Sequence, residues 1–238
     1  MPKRITIPSE IMFLLATVVM AFSVAILAAA DFGLSMIVAP AYMVSLKLGF
    51  LTFGQSEYLV QALLFLVLCL CLKRFKVLFL ASFLAGVIYG AVLDLWRLIP
   101  LLDPNVTPAG SLSLPLRLVF LVLGTVLCSL SVAAYFHSYL YPQVYDFFVK
   151  AVTDHYGFDR TKFKRLFDLT FLAVSLLLSF LFFGALRGIG WGTLLMTLVN
   201  GPLIGLFDRM IAAHVDTPAL FPRLEERFRI KKEEKESV

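Results

Sequence analysis

The chain has 238 residues, 60% of them hydrophobic and 16% charged, with a formal net charge of +5 and a mean hydropathy of +0.90. Soluble domains run about 45–50% apolar and about 25% charged, so a globule of this size cannot bury its own apolar surface and lipid must serve as solvent. The 23 Phe and the lack of any low-complexity tract exclude a disordered chain. No basic stripe is interleaved with exposed aromatics, so the positive charge points to cytoplasmic loops and anionic lipid rather than to nucleic acid.

Uncharged stretches run, in chain order, over 11–30, 58–72, 77–93, 118–136, 169–186 and 188–207. A span needs roughly 17–25 apolar residues. The second stretch is short and is expected to reach length by taking in Ser56, Glu57 or Lys73 at the headgroups. Two shorter pieces stand apart. Segment 32–46 opens with Gly33-Leu34-Ser35 and is broken by Pro40; segment 139–157 carries Pro142, Asp146, Lys150, Asp154 and His155 and is too polar to cross lipid unaided. The first stretch follows Lys3-Arg4 and ends in Ala28-Ala29-Ala30, as a signal peptide does, but it exceeds the 7–15 residues of a signal core.

Six spans with both termini inside put 17 of the 21 Lys and Arg on the cytoplasmic side. That is a strong positive-inside bias, but eight spans, with both short pieces crossing, give the same count. The dense basic turn Lys73-Arg74-Phe75-Lys76 and the polarity of 139–157 favour six. The expected location is the plasma membrane.

Sliding the chain on itself by 108 residues brings Thr17-Val18 onto Thr125-Val126, Ser23-Val24-Ala25 onto Ser131-Val132-Ala133, and Gly49-Phe50 onto Gly157-Phe158. After a further shift of three, Tyr89-Gly90 meets Asn200-Gly201. The expected fold is therefore an all-α polytopic membrane helix bundle of two internal repeats. Residues 1–97 form the first repeat, 98–115 a Pro-rich extramembrane linker, 116–212 the second repeat and 213–238 a charged cytoplasmic tail. If the short pieces do not cross, the repeats have three spans each and are inverted, as in many secondary transporters; if they cross, the repeats are parallel. Interrupted segments at corresponding places in two halves are a pointer to a transporter site.

The run Phe32-Gly33-Leu34-Ser35 with Pro40, the Gly49…Gly54 turn, Gly188-Ile189-Gly190-Trp191-Gly192-Thr193 and Asn200-Gly201-Pro202-Leu203-Ile204-Gly205-Leu206-Phe207-Asp208 resemble the YczE/YyaS/YitT-like bacterial integral membrane proteins. The resemblance covers roughly residues 10–210 and implies a membrane-embedded fold. The family is largely uncharacterised, so the resemblance implies little about a substrate.

Polar residues within the apolar stretches are few. Asn200 with Thr193 and Thr197 forms a polar stripe on the last helix, and Tyr89 matches Asn200 in the first half. Asp94 and Asp208 close the last spans of their halves, as a pair of carboxylates near a pathway or as interfacial partners of Arg97 and Arg209. These six residues, with Ser35 in the first short segment, are the candidate substrate-binding set. Asn200 sits beside Pro202, which frees a carbonyl one turn back, and serves equally well as a solute ligand or a packing residue. Asp31, Gln55, Glu57 and Asp168 are candidate rim residues. His137, His155 and His214 are scattered, Cys69, Cys71 and Cys128 lie in apolar runs, and no metal, cofactor or catalytic constellation stands out. Gly188, Gly190 and Gly192 lack the strand that a nucleotide loop needs and instead allow a closely approached helix start.

The leading expectation is a small secondary transporter or permease for an unidentified small solute, sited between the repeats. The alternative is a non-transporting structural or regulatory membrane protein whose polar residues serve helix packing or homo-oligomer formation. Membrane lipids are expected partners either way, and an enzyme is not expected.

Overall fold

A computed structural model describes residues 4–75 and 79–226. Eight helices dominate the described residues: α1 (Ser9–Ala30), α2 (Ala39–Leu48), α3 (Phe53–Leu72), α4 (Leu80–Trp96), α5 (Leu114–Phe136), α6 (Val144–Tyr156), α7 (Arg160–Phe183) and α8 (Trp191–His214). Two two-residue strands, β1 (Ile5–Thr6) and β2 (Val215–Asp216), pair in parallel. The chain is thus a helical bundle, in which α1, α3, α5, α7 and α8 are long and apolar enough to cross a membrane and α4 is a shorter apolar helix of 17 residues.

The short elements do not have the length to cross. α2 has 10 residues and α6 has 13, about 15 Å and about 20 Å of helix against roughly 30 Å of hydrocarbon. Five long apolar helices and the shorter α4 remain as candidate spans, and their directions follow from hydrogen bonds. The β1–β2 pair and the Ser9 N–H donated to the Pro218 carbonyl put the start of α1 and the end of α8 at one end of the bundle. Arg117, at the start of α5, donates to the Ala30 and Asp31 carbonyls at the end of α1, so α1 and α5 are antiparallel. The Gly192 N–H donates to the Phe32 carbonyl at 2.7 Å, which seats the start of α8 at the end of α1 as well.

Several boundaries move from their sequence expectation. α3 begins at Phe53, one turn earlier than the apolar run, because Thr52 and Gln55 form a capping box. As a result Ser56 and Glu57 are fully buried, not placed at the headgroups. α4 runs three residues further than 77–93 at its end; residues 76–78 lie outside the described residues. α7 begins at Arg160, not 169, since Asp159 caps it through the Lys162 N–H at 2.7 Å. α8 extends to His214. The linker holds two single 3-10 turns, Pro100–Leu102 and Ala109–Ser111. Of the tail, 227–238 lies outside the described residues.

Between helices in lipid there is no hydrophobic drive, so association rests on close packing by small residues and on hydrogen bonds. The α1–α5 contact follows that rule. Ala21, Ala25, Ala28, Ala29 and Ala30 are almost wholly buried, and Gly124 of α5 sits so close to Leu27 that a Cβ would meet its Cγ at 2.5 Å. A second core gathers Phe147, Phe148, Val149 and Val152 of α6 around Leu68, Leu72 and Phe167. The helix neighbours are α1 with α4 and α5, α5 with α8, α2 with α3 and α7, α3 with α4 and α6, and α6 with α7 and α4.

The stretch between α1 and α2 is irregular backbone inside a helical bundle, tolerated only where other groups satisfy it. The Leu34 N–H donates to the Gly188 carbonyl at 2.9 Å. The Thr193 hydroxyl donates to the Leu34 carbonyl at 2.7 Å and the Ser175 hydroxyl to the Met36 carbonyl at 3.1 Å. Gly33 has φ +103, and a Cβ there would collide with the Gly190 nitrogen, so the position demands glycine twice over. At the opposite end, Ser9 and Ser138 do the same for the stretch between α5 and α6, accepting from the Tyr139 and Leu140 N–H groups.

Candidate functional site

Asp94, near the end of α4, holds the start of α3. It accepts from the Thr52 hydroxyl at 2.5 Å and from the Gly54 N–H at 2.8 Å, while Gly54 lies so close to the Gly90 carbonyl that a Cβ would collide with it. This anchoring turns Ser56, Glu57 and Gln61 inward, each with no exposed surface. Glu57 and Gln61 are four residues apart, hence stacked on one face.

Around them a polar cluster forms from three helices and one irregular stretch. The Tyr145 hydroxyl of α6 donates to Glu57 Oε2 at 2.9 Å. Gln61 Nε2 donates to the same oxygen at 3.2 Å and to Gln143 Oε1 at 3.1 Å. The Gln61 amide fits against α4 because residue 86 is glycine; a Cβ there would collide with it. Tyr89 of α4 is 1% exposed. Glu57 Oε1, Gln61 Oε1, the Ser56 hydroxyl and the Tyr89 hydroxyl are buried without a hydrogen-bond partner. Among the described residues no Lys, Arg or His forms an ion pair with Glu57.

A buried polar atom without a partner costs about 1–3 kcal/mol, and a lone ionised carboxylate in apolar surroundings costs far more. A carboxyl group held this way requires a proton on it or a positive group beside it. The unpartnered atoms of Glu57 and Gln61 are acceptors; those of Tyr89 and Ser56 either donate or accept. The arrangement therefore suits an occupant that brings hydrogen-bond donors, a positive charge, or both.

The residues expected from the sequence are scattered, and Tyr89 alone belongs to this cluster. Asn200 is half-buried and its Oδ1 accepts from the Ser129 hydroxyl of α5 at 3.2 Å. Thr193 is occupied by the Leu34 carbonyl. Thr197 is exposed and donates back to the Thr193 carbonyl, so the three residues of the expected polar stripe on α8 are buried, exposed and half-buried in turn. Ser35 lends its backbone carbonyl to the Val38 and Ala39 N–H groups.

The partners expected for the two aspartates also change. Asp94 holds Thr52 and Gly54, and Arg97 pairs with Asp103 rather than with Asp94. Asp208 meets His137 Nε2 at 3.0 Å rather than Arg209. Gln55 caps α3, and Asp168 pairs with Lys164 at 3.1 Å. Asp31 lies between α1 and α2, where burial raises its pKa and the nearby Arg117 and Arg187 pull it back down. Gly190 and Gly192 do admit the close approach expected of them, since a Cβ on either would meet the Phe32 carbonyl oxygen within 3 Å.

Sequence reasoning missed Glu57 as a buried group, together with Gln61, Gln143 and Tyr145. A signal was available. An ionisable residue one turn into an apolar helix with a glutamine four residues on is an intramembrane polar pair, provided the helix starts early enough to bury it.

A family model described as "Family of unknown function (DUF6198)" matches residues 7–209. The chain belongs to that family. The matched stretch contains the whole Glu57 cluster and stops short of the tail. No curated protein and no solved structure matches.

Proposed function

We propose that the chain is a small secondary transporter or permease of the plasma membrane, with both termini cytoplasmic. Its solute site is the Glu57 cluster, where α3 and α4 of a first repeat meet α6 of a second. The observation that carries this reading is a fully buried carboxyl group with one free oxygen, no counter-charge among the described residues, and a tyrosine and an amide oxygen unpartnered around it. Intramembrane carboxyl groups of this kind are costly and mark solute or ion pathways.

The helix neighbours support two inverted halves. Exchanging α1–α4 with α5–α8 maps α1–α4 onto α5–α8, α2–α3 onto α6–α7, and α3–α6 onto α7–α2, while α1–α5 maps onto itself. Residues 108 apart behave alike. Met20 Sδ and Cys128 Sγ face each other at 3.9 Å across α1–α5. Thr17 and Thr125 each donate to the carbonyl four residues back, and Gly49 and Gly157 close α2 and α6 with φ of +66 and +71. The kinship with YczE/YyaS/YitT-like proteins suggested by the glycine motifs belongs to this proposal too. It adds no substrate, and we propose no catalytic role.

The second reading, a structural or regulatory membrane protein, is favoured by one observation: Ser56, Glu57, Gln61 and Tyr89 are all sealed, none more than 1% exposed. A thermal-shift screen of purified protein against small amines, neutral metabolites and lipids separates the two. Transport predicts solutes that raise Tm of the wild type and of Asn200→Ala but not of Glu57→Gln. Shifts that survive Glu57→Gln undiminished, or a response to lipids alone, refute the site.

A further inference from the structure

One face of α3 (Gly54, Tyr58, Gln61, Phe65) packs against one face of α4 (Phe83, Gly86, Gly90, Asp94), and none of the eight residues is exposed. A Cβ on Gly90 would run into the Tyr58 ring, and the Phe65 and Phe83 ring centres are 6.1 Å apart. The shifts of 108 for α3 and 111 for α4 carry these residues onto Lys162, Leu166, Leu169 and Ala173 of α7 and onto Leu194, Thr197, Gly201 and Gly205 of α8. All eight counterparts are exposed. A Cβ on Gly201 or Gly205 would have nothing within 4 Å. In place of one another, α7 packs on α2 and α6, and α8 on α5.

Small residues on a membrane helix gain their value by letting another backbone approach. Against lipid they return nothing, and each glycine inside a helix costs about 1 kcal/mol relative to alanine. On α4 the matching residues Gly86 and Gly90 are covered by α3; on α8 the small face Thr197, Gly201, Gly205 lies bare in this conformation. Pro202, between the two glycines, lacks an N–H and gives α8 a place to bend.

We propose that α8 closes on α7 along the Leu169–Thr197 and Ala173–Leu194 lines in a second state of the chain, as α4 lies on α3 here. The proposal rests on the two-halves reading above. By the same exchange the α3–α4 and α4–α6 contacts are the ones released, and with them the cover that Gly86 gives the Gln61 amide beside Glu57. Two halves that trade conformations in this way present one central site to each side of the membrane in turn.

The test uses the full chain in membranes, with Cys69, Cys71 and Cys128 replaced by alanine. Two pairs, Ala173→Cys with Leu194→Cys and Leu169→Cys with Thr197→Cys, are treated with a short bifunctional thiol reagent. Phe65→Cys with Phe83→Cys, the packed counterpart, verifies that the chemistry works and that the variant folds. Within-chain cross-links at both α7–α8 pairs, at a yield comparable with the control, are expected. Links only between two chains would overturn the proposal and give the face to a second copy. No link where the control reacts would also overturn it and leave the face to lipid. Neither result touches the solute screen, which uses no cysteine, and a failed solute screen leaves the cross-linking result standing.

Discussion

The pairs α3–α4 and α7–α8 stand at corresponding places in the two proposed halves, yet glycine is under opposite constraints in them. In the first pair Gly54, Gly86 and Gly90 are pressed against a neighbour's backbone or side chain; in the second Gly201 and Gly205 face open space. The difference separates what a residue type permits from what its surroundings use. It also makes matched substitutions informative, since the same change at 90 and 201 meets a wall in one half and nothing in the other.

The largest effect is expected from Gly90→Val, which drives a branched side chain into the Tyr58 ring and the Gly54 carbonyl. Overpacking of this kind costs about 1–3 kcal/mol or more, read as a lower Tm in detergent. Gly201→Val is expected to stay within about 0.5 kcal/mol of wild type. Equal losses at both positions would erase the contrast.

The next pair asks whether hydroxyls on α8 carry the irregular stretch. Thr193→Val strips the Leu34 carbonyl of its donor and should cost about 1–3 kcal/mol. Thr197→Val removes only a bond back to its own helix and should be close to neutral in thermal unfolding. The third compares the buried and half-buried polar contacts. Tyr145→Phe takes one of two donors from Glu57 Oε2 at about 1–2 kcal/mol; Asn200→Ala loses one long, half-buried bond and should cost less.

The smallest effect is pH-dependent. The Asp31 pKa is raised chiefly by burial, so the folded state holds that proton more tightly than the unfolded chain does. Its contribution to stability is complete below the ordinary carboxylate range and fades as pH rises through the raised value. Asp31→Asn should therefore flatten the decline of Tm as pH rises above the ordinary carboxylate range. An unchanged slope would show that Arg117 and Arg187 cancel the effect of burial, and a steeper decline that they outweigh it.

Composition and the lengths of the apolar stretches are enough to make the bundle legible in the sequence, because a short helix cannot hide how little it spans. The two short elements are recognisable from Pro40 and from the charges of 139–157. The start of α3 is harder to read, since it depends on Asp94 reaching the Thr52 hydroxyl and the Gly54 N–H some 40 residues away in sequence. Shifting that start by one turn carries Glu57 from the interface to the interior, and this is why the candidate site is hidden from local pattern. Local spacing also misleads at Arg97, which satisfies the i,i+3 rule with Asp94 but pairs with Asp103 in the linker. Asn200 and Thr193 are visible as polar residues in lipid. That both are engaged in packing contacts is a property of α5 and of the stretch after α1, not of α8's own sequence.

The central claim is that Glu57 and its neighbours hold a transported solute. It is tested most directly by reconstituting wild type and Glu57→Gln in vesicles and following uptake of each solute that raises the wild-type Tm. The account predicts saturable uptake by the wild type and none above protein-free vesicles for Glu57→Gln. Uptake by Glu57→Gln at the wild-type rate would contradict it.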